Sequence, residues 1–492
     1  MKNLLLILSF LLVPAGQPFA AESKPNIIFF LIDDMGWTDL GSFGSKFYET
    51  PNIDRLCAQG MKFSNAYSAC TVCSPTRAAV MTGKYPARLH ITDWIAGHNR
   101  PYAKLRIPDW RMQLPLEEKT IAEQLKARGY ATACIGKWHL GNEEFFPDKQ
   151  GFDLNFGGCA VGAPRSYFPP YGVPAIKDEH PGQMLSDRLT DEALKFIEVN
   201  KERPFFIYFP HYAVHTPIGG KPEVIEKYKK KDAACLKQNN PVYAALVESV
   251  DDSVGRVMAR LAELKLDRNT VIIFTSDNGG LYGTVRNGVW NKGPTDNSPL
   301  RWGKGSAYEG GVRVPLIVKW PGVTQPGSAC ATPVISVDHF PTMAAMAGAD
   351  ASPAVDGKSL VPLLKGDGPL KRDAIYWHYP HYHPGSATPY SAVRAGDWRL
   401  VEFFEDNHVE LYNLKDDIGE QNDLAQKMPE KAAGLRKKLH GWRESVGAQM
   451  PTPNPDADAE KDKAPPGKKK GKAGGKRQTT ADAELQWVAL ES

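Results

Sequence analysis

The sequence predicts an α/β protein in two parts. A large domain has a central, mostly parallel sheet flanked by helices, and a small C-terminal antiparallel α+β subdomain follows it. Continuous apolar runs such as Pro25–Ile32 and Val271–Ser276 are typical of strands buried on both faces of a parallel sheet. Helical patterns alternate with these runs, which indicates helices on both faces of the sheet. Beyond Gly366 the apolar segments shorten and turn residues separate them, as in antiparallel strands.

The elements of the large domain follow from local patterns. The residues Thr120–Glu123 form a capping box, which opens a helix that ends at Gly129. Apolar residues at helical spacing predict one long helix over Val242–Leu264. Its acidic pair Asp251-Asp252 is expected on the solvated face of that helix. The remaining buried strands are expected at Tyr130–Ile135, Phe205–Phe209 and Val314–Val318.

The C-terminal subdomain begins where the composition changes, near residues 366–372. Short strands separated by turns are predicted at residues 374–379, 391–394, 398–404 and 410–413, and an amphipathic helix at Pro429–Val446. A region rich in Pro, Gly, Lys, Asp and Ala follows and should be disordered. We therefore expect a signal peptide at 1–20, the catalytic α/β domain at 21–368, the α+β subdomain at 369–450, a disordered basic linker at 451–480 and a C-terminal segment at 481–492.

The first twenty residues have the pattern of a secretory signal peptide. Lys2 precedes the apolar stretch Leu4–Val13, and small residues around Ala20 offer a cleavage point. A short buried helix is the alternative, which the polar residues that follow at once disfavour. We expect the mature protein to be exported to the periplasm or the outside of the cell. The sequence contains no run of 18 or more apolar residues, so no membrane-spanning helix is predicted.

The net charge of +4 comes from the tail of the chain. Residues 461–477 hold eight Lys or Arg and one Asp, a charge of +7, which leaves −3 for the rest. A folded body with this balance is not expected to bind nucleic acid. The basic tail is either a solvated linker or a tether to an anionic polymer.

Reactive residues follow four of the predicted strands. Because the carboxyl ends of parallel strands meet at one edge of a sheet, we expect these residues to converge. They are Asp33-Asp34, Lys137 to His139, His211 to His215 and Asp277-Asn278. Three carboxylates and an amide supply only oxygen ligands, which suit a hard cation such as Ca²⁺ or Mg²⁺ better than Zn²⁺.

The segment Cys70–Arg77 predicts a nucleophile beside an anion-binding site. Cys70 and Cys73 form a C-x-x-C pair, which alone suggests a redox pair or half of a zinc site, but no second pair follows. Pro75 belongs in the first turn of a helix, so Cys73 lies at the helix N-terminus, where backbone N–H groups favour anions. Arg77, four residues on, lies on the same face and can bind two oxygens of an anion.

These motifs resemble those of a known family. Cys73-Ser74-Pro75-Thr76-Arg77, followed by Thr82-Gly83-Lys84, is similar to the signature of the type I sulfatases, formylglycine-dependent members of the alkaline-phosphatase-like superfamily. The likeness extends from about residue 25 to about residue 445, through Gly136–Gly141, His215–Pro217, Ser276–Gly279 and the segments 303–305 and 308–311. It implies an alkaline-phosphatase-like fold and a carbohydrate sulfatase.

The resemblance also implies roles for individual residues. Cys73 would be converted to formylglycine by a formylglycine-generating or sulfatase-maturating enzyme. The ligands of Ca²⁺, or of Mg²⁺, would be Asp33, Asp34, Asp277 and Asn278. Arg77 and Lys137 would hold the formylglycine and sulfate oxygens, His139 would take a proton from the hydrated formylglycine, and His215 and Lys304 would protonate the leaving alcohol. Six of the seven cysteines would remain, and no disulfide is predicted.

The substrate implied by the resemblance is a sulfated carbohydrate. We expect an exo-acting enzyme on a galactose or N-acetylgalactosamine sulfate. Aromatic and imidazole groups can stack on sugars and bind their hydroxyls, and the candidates are His211, Trp94, His378 and His381. Two alternatives stay open: a phosphonate monoester or phosphodiester hydrolase of the same superfamily, and a sulfated-glycan binder without turnover.

Overall fold

The computed structural model describes residues 24–98, 100–178, 180–286, 289–350 and 354–463. The expected signal peptide, the basic segment from residue 464 and the segment 481–492 lie outside the described residues. Within the described ranges, no helix has the length and apolar character needed to cross a membrane.

Helices and strands alternate along most of the chain. The strands are β1 (Asn26–Ile32), β2 (Met61–Phe63), β3 (Ala66–Tyr67), β4 (Leu105–Arg106), β5 (Ala131–Ile135), β6 (Leu154–Phe156), β7 (Phe205–Pro210), β8 (Thr270–Ser276), β9 (Gly283–Arg286), β10 (Val289–Lys292), β11 (Leu316–Lys319), β12 (Ser328–Cys330), β13 (Val334–Ile335), β14 (Ile375–Tyr379), β15 (Tyr390–Ala395), β16 (Trp398–Phe403), β17 (Val409–Asn413) and β18 (Thr452–Pro453). The α-helices are α1 (Pro51–Gln59), α2 (Cys73–Thr82), α3 (Pro86–Leu89), α4 (Ile121–Lys126), α5 (Leu185–Val199), α6 (Pro222–Lys229), α7 (Pro241–Glu263), α8 (Glu309–Val312), α9 (His339–Met346), α10 (Val361–Lys365), α11 (Pro429–Ser445) and α12 (Ala459–Lys463).

The main sheet of the described chain has eight strands in the order β12-β2-β11-β8-β1-β7-β5-β6. The central strand β1 pairs in parallel with β7 and β8, and Ile32 lies opposite Ser276. Within this sheet β11 runs antiparallel to its neighbours β8 and β2. The prediction of a mostly parallel central sheet is therefore confirmed.

Helices cover both faces of the main sheet because successive side chains of its strands point to opposite sides. Ile28 and Phe30 of β1 pack in a core with residues of α1, α5 and α7. Ile27 and Phe29 pack in a second core with residues of α2, α4 and α9. The predicted capping box at Thr120 is present and opens α4.

The C-terminal subdomain is an antiparallel sheet in the order β14-β15-β16-β17, with α11 packed against it. Its core includes Trp377 and Leu400 of the strands and Leu439 of α11. The same core reaches Val72 and Ala79 of the large domain, so the subdomain packs directly beside the start of α2. This confirms the predicted small antiparallel unit.

The prediction that the acidic pair in the middle of α7 lies on a solvated face is wrong for Asp251. Asp251 is buried and accepts hydrogen bonds from the backbone N–H groups of Asn52 (3.1 Å) and Ile53 (2.7 Å). It thereby satisfies free N–H groups in the first turn of α1, which packs across α7. Only Asp252 points to solvent.

The expectation of a disordered linker from residue 451 is wrong for residues 451–463. Here β18 pairs antiparallel with β4, and the Asn454 amide donates to the backbone oxygens of Pro101 (2.9 Å) and Ala103 (2.7 Å). The side chain of Arg100 pairs with Asp462. Composition alone suggested disorder, but the partners of this C-terminal strap (451–463) lie more than three hundred residues away.

We predict that a chain ending at Met450 loses the order of residues 100–106. Each lost backbone hydrogen bond is worth about 1 kcal/mol, so amide hydrogen exchange in this segment should quicken by about tenfold or more. The measurement is exchange followed by mass spectrometry. A chain ending at Lys463 keeps the strap and serves as the matched control. Equal exchange in the two truncated chains would contradict the prediction.

Candidate active site

The predicted reactive residues meet at one edge of the main sheet. Asp33 follows β1 and Asp277 follows β8, and the parallel pairing of these two strands places the acids side by side. The backbone N–H of Asp33 donates to Ala213 O (3.1 Å), which joins the segment after β7 to the same place. Lys137 follows β5 and its N–H donates to Pro210 O (2.8 Å). The strand ends therefore converge as the sequence predicts.

Each buried carboxylate at this edge faces a buried cation. Lys137 Nζ lies 2.6 Å from Asp33 Oδ2, and Arg77 Nη2 lies 2.6 Å from Asp277 Oδ2. Lys304 Nζ lies 2.9 Å from Asp34. Unpaired charges in this position would carry a large desolvation cost, so each cation is needed for the neighbouring acid to stay ionised.

The buried charged groups of this cluster differ in the direction in which their pKa values are shifted. Burial raises the pKa of Asp33, but the positive charges around it, that of Lys137 foremost, together hold the pKa below its usual range. Burial and the charge of Asp33 together keep the pKa of Asp277 above its usual range, in spite of Arg77. Burial lowers the pKa of Lys304, but the neighbouring acids, Asp34 foremost, together with Cys73 hold the pKa above its usual range.

Two buried oxygens of the predicted metal-ligand set have no hydrogen-bond donor among the described residues: Asp33 Oδ1 and Asn278 Oδ1. The Asn278 amide nitrogen donates to Asp34 Oδ1 (2.8 Å), so the amide oxygen is left for another partner. Buried oxygens without a donor, grouped with further carboxylates, fit a hard cation. The residues present are thus compatible with Ca²⁺ or Mg²⁺.

His215 lies against the same cluster. One of its ring nitrogens is within 4.8 Å of oxygens of both Asp33 and Asp34, and Nε2 lies 3.6 Å from Asp34 Oδ2. However, Nδ1 lies 2.5 Å from Thr216 O and Nε2 lies 2.9 Å from Lys304 Nζ. A ring whose Nδ1–H donates to Thr216 uses Nε2 to accept from Lys304, so we assign His215 to Lys304 rather than to the metal ligands.

Cys73 begins α2 and its side chain is buried in the centre of the cluster. Its Sγ lies 3.4 Å from His139 Nδ1. Burial raises the pKa of the Cys73 thiol, although Lys137 and Lys304 act in the opposite direction. The unmodified thiol is therefore mostly protonated at neutral pH and is a poor nucleophile.

His139 is held as a neutral base that points at Cys73. Burial and the nearby Lys137 charge hold the pKa of His139 well below its usual range. Its Nε2–H donates to Ile95 O, which leaves Nδ1 as an acceptor on the side of Cys73. A side chain at Gly162 would lie 2.6 Å from the imidazole, so this glycine leaves room for the ring.

Three of the predicted substrate contacts are buried elsewhere, and their assignment is wrong. His211 stacks on Phe209 in the core, and its pKa is lowered by burial to about 3. His378 is bonded to Ser391 Oγ (2.7 Å), and burial lowers its pKa to about 4. His381 is fully buried and its Nε2 lies 2.8 Å from Thr92 Oγ1.

Trp94 lies beside the site, together with two histidines that were not among the four candidate substrate contacts. The Trp94 indole N–H donates to His98 Nδ1 (3.0 Å), and the His98 ring lies 5.0 Å from the ring of His383. A Cβ on Gly305 would lie 1.7 Å from His383 Nδ1, so His383 rests on the residue after Lys304. We call these three side chains the rim. His381 lies in the same loop beyond β14 but is buried, so no local sequence signal singles out His383.

Comparisons with known proteins agree with this geometry. Residues 25–349 match the family model described as Sulfatase, and residues 301–445 match the C-terminal model of N-sulphoglucosamine sulphohydrolase. A protein named Sulfatase from Formosa agariphila is 34% identical over 520 residues, covering 89% of this chain and 92% of the relative. N-acetylgalactosamine-6-sulfatase from Mus musculus is 35% identical over 403 residues, covering 76% and 72%. The crystal structure of Ps i-CgsB in complex with k-i-k-neocarrahexaose has a TM-score of 0.71 at 29% identity, covering 95% of this chain and 98% of that one.

Proposed function

The chain belongs to the sulfatase family and is a sulfuric ester hydrolase, and on that premise we propose that it removes sulfate from a carbohydrate through a formylglycine made from Cys73. The observation that carries this proposal is the position of Cys73 Sγ, at the N-terminus of α2 and 3.4 Å from His139 Nδ1. A buried thiol with a raised pKa is poorly suited to attack sulfur itself. Conversion of this side chain supplies a hydrated aldehyde, one oxygen of which attacks sulfur while the other later loses its proton.

His139 takes that proton in our proposal. Its Nδ1 faces residue 73 and its ring is neutral, the two properties that a general base needs. The hydrogen bond from Nε2–H to Ile95 O fixes the tautomer and the plane of the ring. Proton loss to Nδ1 breaks the bond to sulfate and restores the aldehyde.

Lys304 and His215 act on the leaving alcohol. They lie 2.9 Å apart, Nζ to Nε2, and Lys304 pairs with Asp34, whereas Lys137 pairs with Asp33. A sugar hydroxyl is a poor leaving group and needs a proton as its bond to sulfur breaks. Lys304 is charged and therefore has a proton to supply, directly or through His215.

Asp33, Asp34, Asp277 and Asn278 would hold the metal, for which we propose Ca²⁺. When bound, this ion supplies positive charge next to the sulfate oxygens and the nucleophile. Without the ion, the charges of the three carboxylates are cancelled by those of the three cations Arg77, Lys137 and Lys304. The two positive charges of the ion would therefore be left to attract the anionic sulfate ester.

The sugar is proposed from the rim and from the relatives. The rim begins at Trp94, next to Ile95, which contacts His139, and it ends at His383, which rests on Gly305, the residue after Lys304. The rim therefore borders the leaving-group side of the site. Such groups stack on sugar faces and bind hydroxyls. We propose a galactose or N-acetylgalactosamine sulfate, attacked from the end of a glycan. Export to the periplasm or beyond rests on residues 1–20 and remains a prediction.

We predict that the Cys73 peptide of the native protein is lighter than its sequence by about 18 Da, the change from thiol to aldehyde. The Cys73→Ala variant should hydrolyse no sulfate ester, while Cys70→Ala, a neighbouring buried cysteine, should keep both the mass change and turnover. The measurements are peptide mass spectrometry and assays on galactose and N-acetylgalactosamine monosulfates of each ring position. Turnover by Cys73→Ala would contradict the proposal. An unmodified, inactive protein would favour a glycan binder, and a higher kcat/KM on an aryl phosphonate monoester would favour a phosphonate hydrolase.

We predict that Ca²⁺ raises the thermal stability of chelator-treated protein. At a Ca²⁺ concentration 100 times the Kd, binding to the folded state alone adds about 2.7 kcal/mol to the free energy of unfolding. The Asn278→Ala variant should need more Ca²⁺ for the same rise in Tm. Asp251→Asn alters a buried acid outside the cluster and should respond as the parent does. An equal response of Asn278→Ala and the parent would rule out the proposed ligand set, and a larger response to Mg²⁺ would change the ion.

We predict that Lys304→Met affects substrates according to their leaving group. On a sugar sulfate kcat should fall by about 100-fold or more, the usual loss of a general acid. On nitrophenyl sulfate, whose leaving group departs without a proton, the loss should be at least tenfold smaller than that. The control is Lys227→Met, which removes an exposed lysine that pairs with Glu49 outside the active-site cluster. Equal losses on the two substrates would assign Lys304 to binding alone.

A further inference from the structure

An exposed hairpin stands beside the site, and the proposed chemistry does not use it. The strands β9 and β10 form this hairpin between Asn278 of the metal-ligand set and Lys304. At its base, the N–H of Lys304 donates to Gly280 O (3.0 Å). On its outer edge, the N–H of Val285 donates to Pro384 O (2.7 Å), one residue beyond His383 of the rim. The hairpin is therefore continuous with the leaving-group side of the site.

Three aromatic side chains cluster on this hairpin and at its base. The ring centroids of Tyr282 and Trp290 are 5.5 Å apart, and those of Trp290 and Trp302 are 5.1 Å apart. Trp290 is 40% exposed, among the most exposed large apolar side chains of the described residues. We call Tyr282, Trp290 and Trp302 the aromatic platform. Trp290 is exposed and the other two rings are half-buried beside it, so together they form an apolar patch of the kind found at binding surfaces.

The backbone is shaped to hold these rings. A Cβ on Gly283 would lie 2.2 Å from the Trp290 indole, so the ring rests directly on the backbone of β9. Trp302 adopts a left-handed conformation (φ 59°), which is uncommon for a bulky residue. The buried Asn297 amide donates to both Trp302 O (3.0 Å) and Gly280 O (2.9 Å) and fixes this conformation. Backbone strain of this kind is concentrated at functional sites.

The face of the hairpin that carries Trp290 also carries a cation. Lys292 lies two residues beyond Trp290 in β10 and shares its face, because side chains alternate along a strand. Val285, directly opposite Trp290, adds apolar surface on the same face and is 40% exposed. An aromatic ring beside an exposed lysine matches the two faces of a sulfated glycan, its C–H surface and its anionic groups.

We propose that the aromatic platform binds the sugars to which the sulfated unit is attached, so that the substrate is an oligosaccharide or polysaccharide chain rather than a free monosaccharide. The inference rests on the proposed function, because it takes the alcohol to leave on the side of Lys304. Trp302 is two residues before Lys304 in the chain and packs against Trp290. We therefore place the first sugar beyond the leaving oxygen at Trp302. Trp290 contacts the second sugar or those beyond it.

The test compares one sulfated monosaccharide with a sulfated hexasaccharide that ends in the same unit, using the full-length mature protein. For Trp290→Ala, kcat/KM on the hexasaccharide should fall about three- to tenfold, the size expected for loss of one stacking contact. On the monosaccharide it should change less than about twofold. Trp290→Tyr should restore most of the loss, whereas Trp290→Leu, which keeps apolar area without an aromatic face, should not. Val199→Ala, at an exposed apolar position on α5, is the control.

Two results would overturn the proposal. Equal losses on both substrates would mean that the hairpin shapes the reaction centre, and no loss on either would mean that Trp290 contacts no sugar. A binding measurement separates this proposal from the proposed function. In the Cys73→Ala protein, isothermal titration with the hexasaccharide should give a Kd about three- to tenfold higher when Trp290→Ala is added. If the parent hydrolyses no sulfated sugar but this difference is found, the platform stands and the proposed function fails.

Discussion

The structure depends on the pairing of buried carboxylates with buried cations at the ends of the central strands. Asp33, Asp34 and Asp277 come from two adjacent parallel strands, while Lys137, Arg77 and Lys304 come from three separate segments. Removing any one partner would leave a charge in the interior without compensation. The requirement therefore fixes the end of β5, the first turns of α2 and the loop after the hairpin relative to the sheet. The same requirement fixes the position of His139 relative to Cys73, because His139 is two residues from Lys137 and Cys73 is four residues from Arg77.

Parts of the fold and the site could be predicted because they depend on local pattern. The buried strands are continuous apolar runs, and the alternation with helices defines the large domain. The start of α2 at Cys73 follows from Pro75, and the convergence of Asp33 and Asp277 follows from parallel pairing. Each of these inferences needs only neighbouring residues or one general rule about sheets.

The errors share a different cause, the contacts between distant segments. His211 was expected to touch substrate, but Ser253 of α7 binds it in the core. Asp251 was expected in solvent, but the start of α1 covers it. His378 and His381 lie in the same aromatic stretch as His383, and only the packing of the subdomain decides that the first two are buried. Nothing in the local sequence distinguishes a histidine with a buried partner from one that a ligand can reach.

The pairing of the C-terminal strap with β4 also orders events during synthesis. Asn454 and its partner Pro101 are 353 residues apart. At a translation rate of about 5 to 20 residues per second, roughly 20 to 70 seconds separate their emergence from the ribosome. Throughout that interval the nascent chain contains β4 without its partner, so the flank of the site that follows Trp94 is completed last. Folding of this flank is then a late step, and the central sheet can assemble ahead of it.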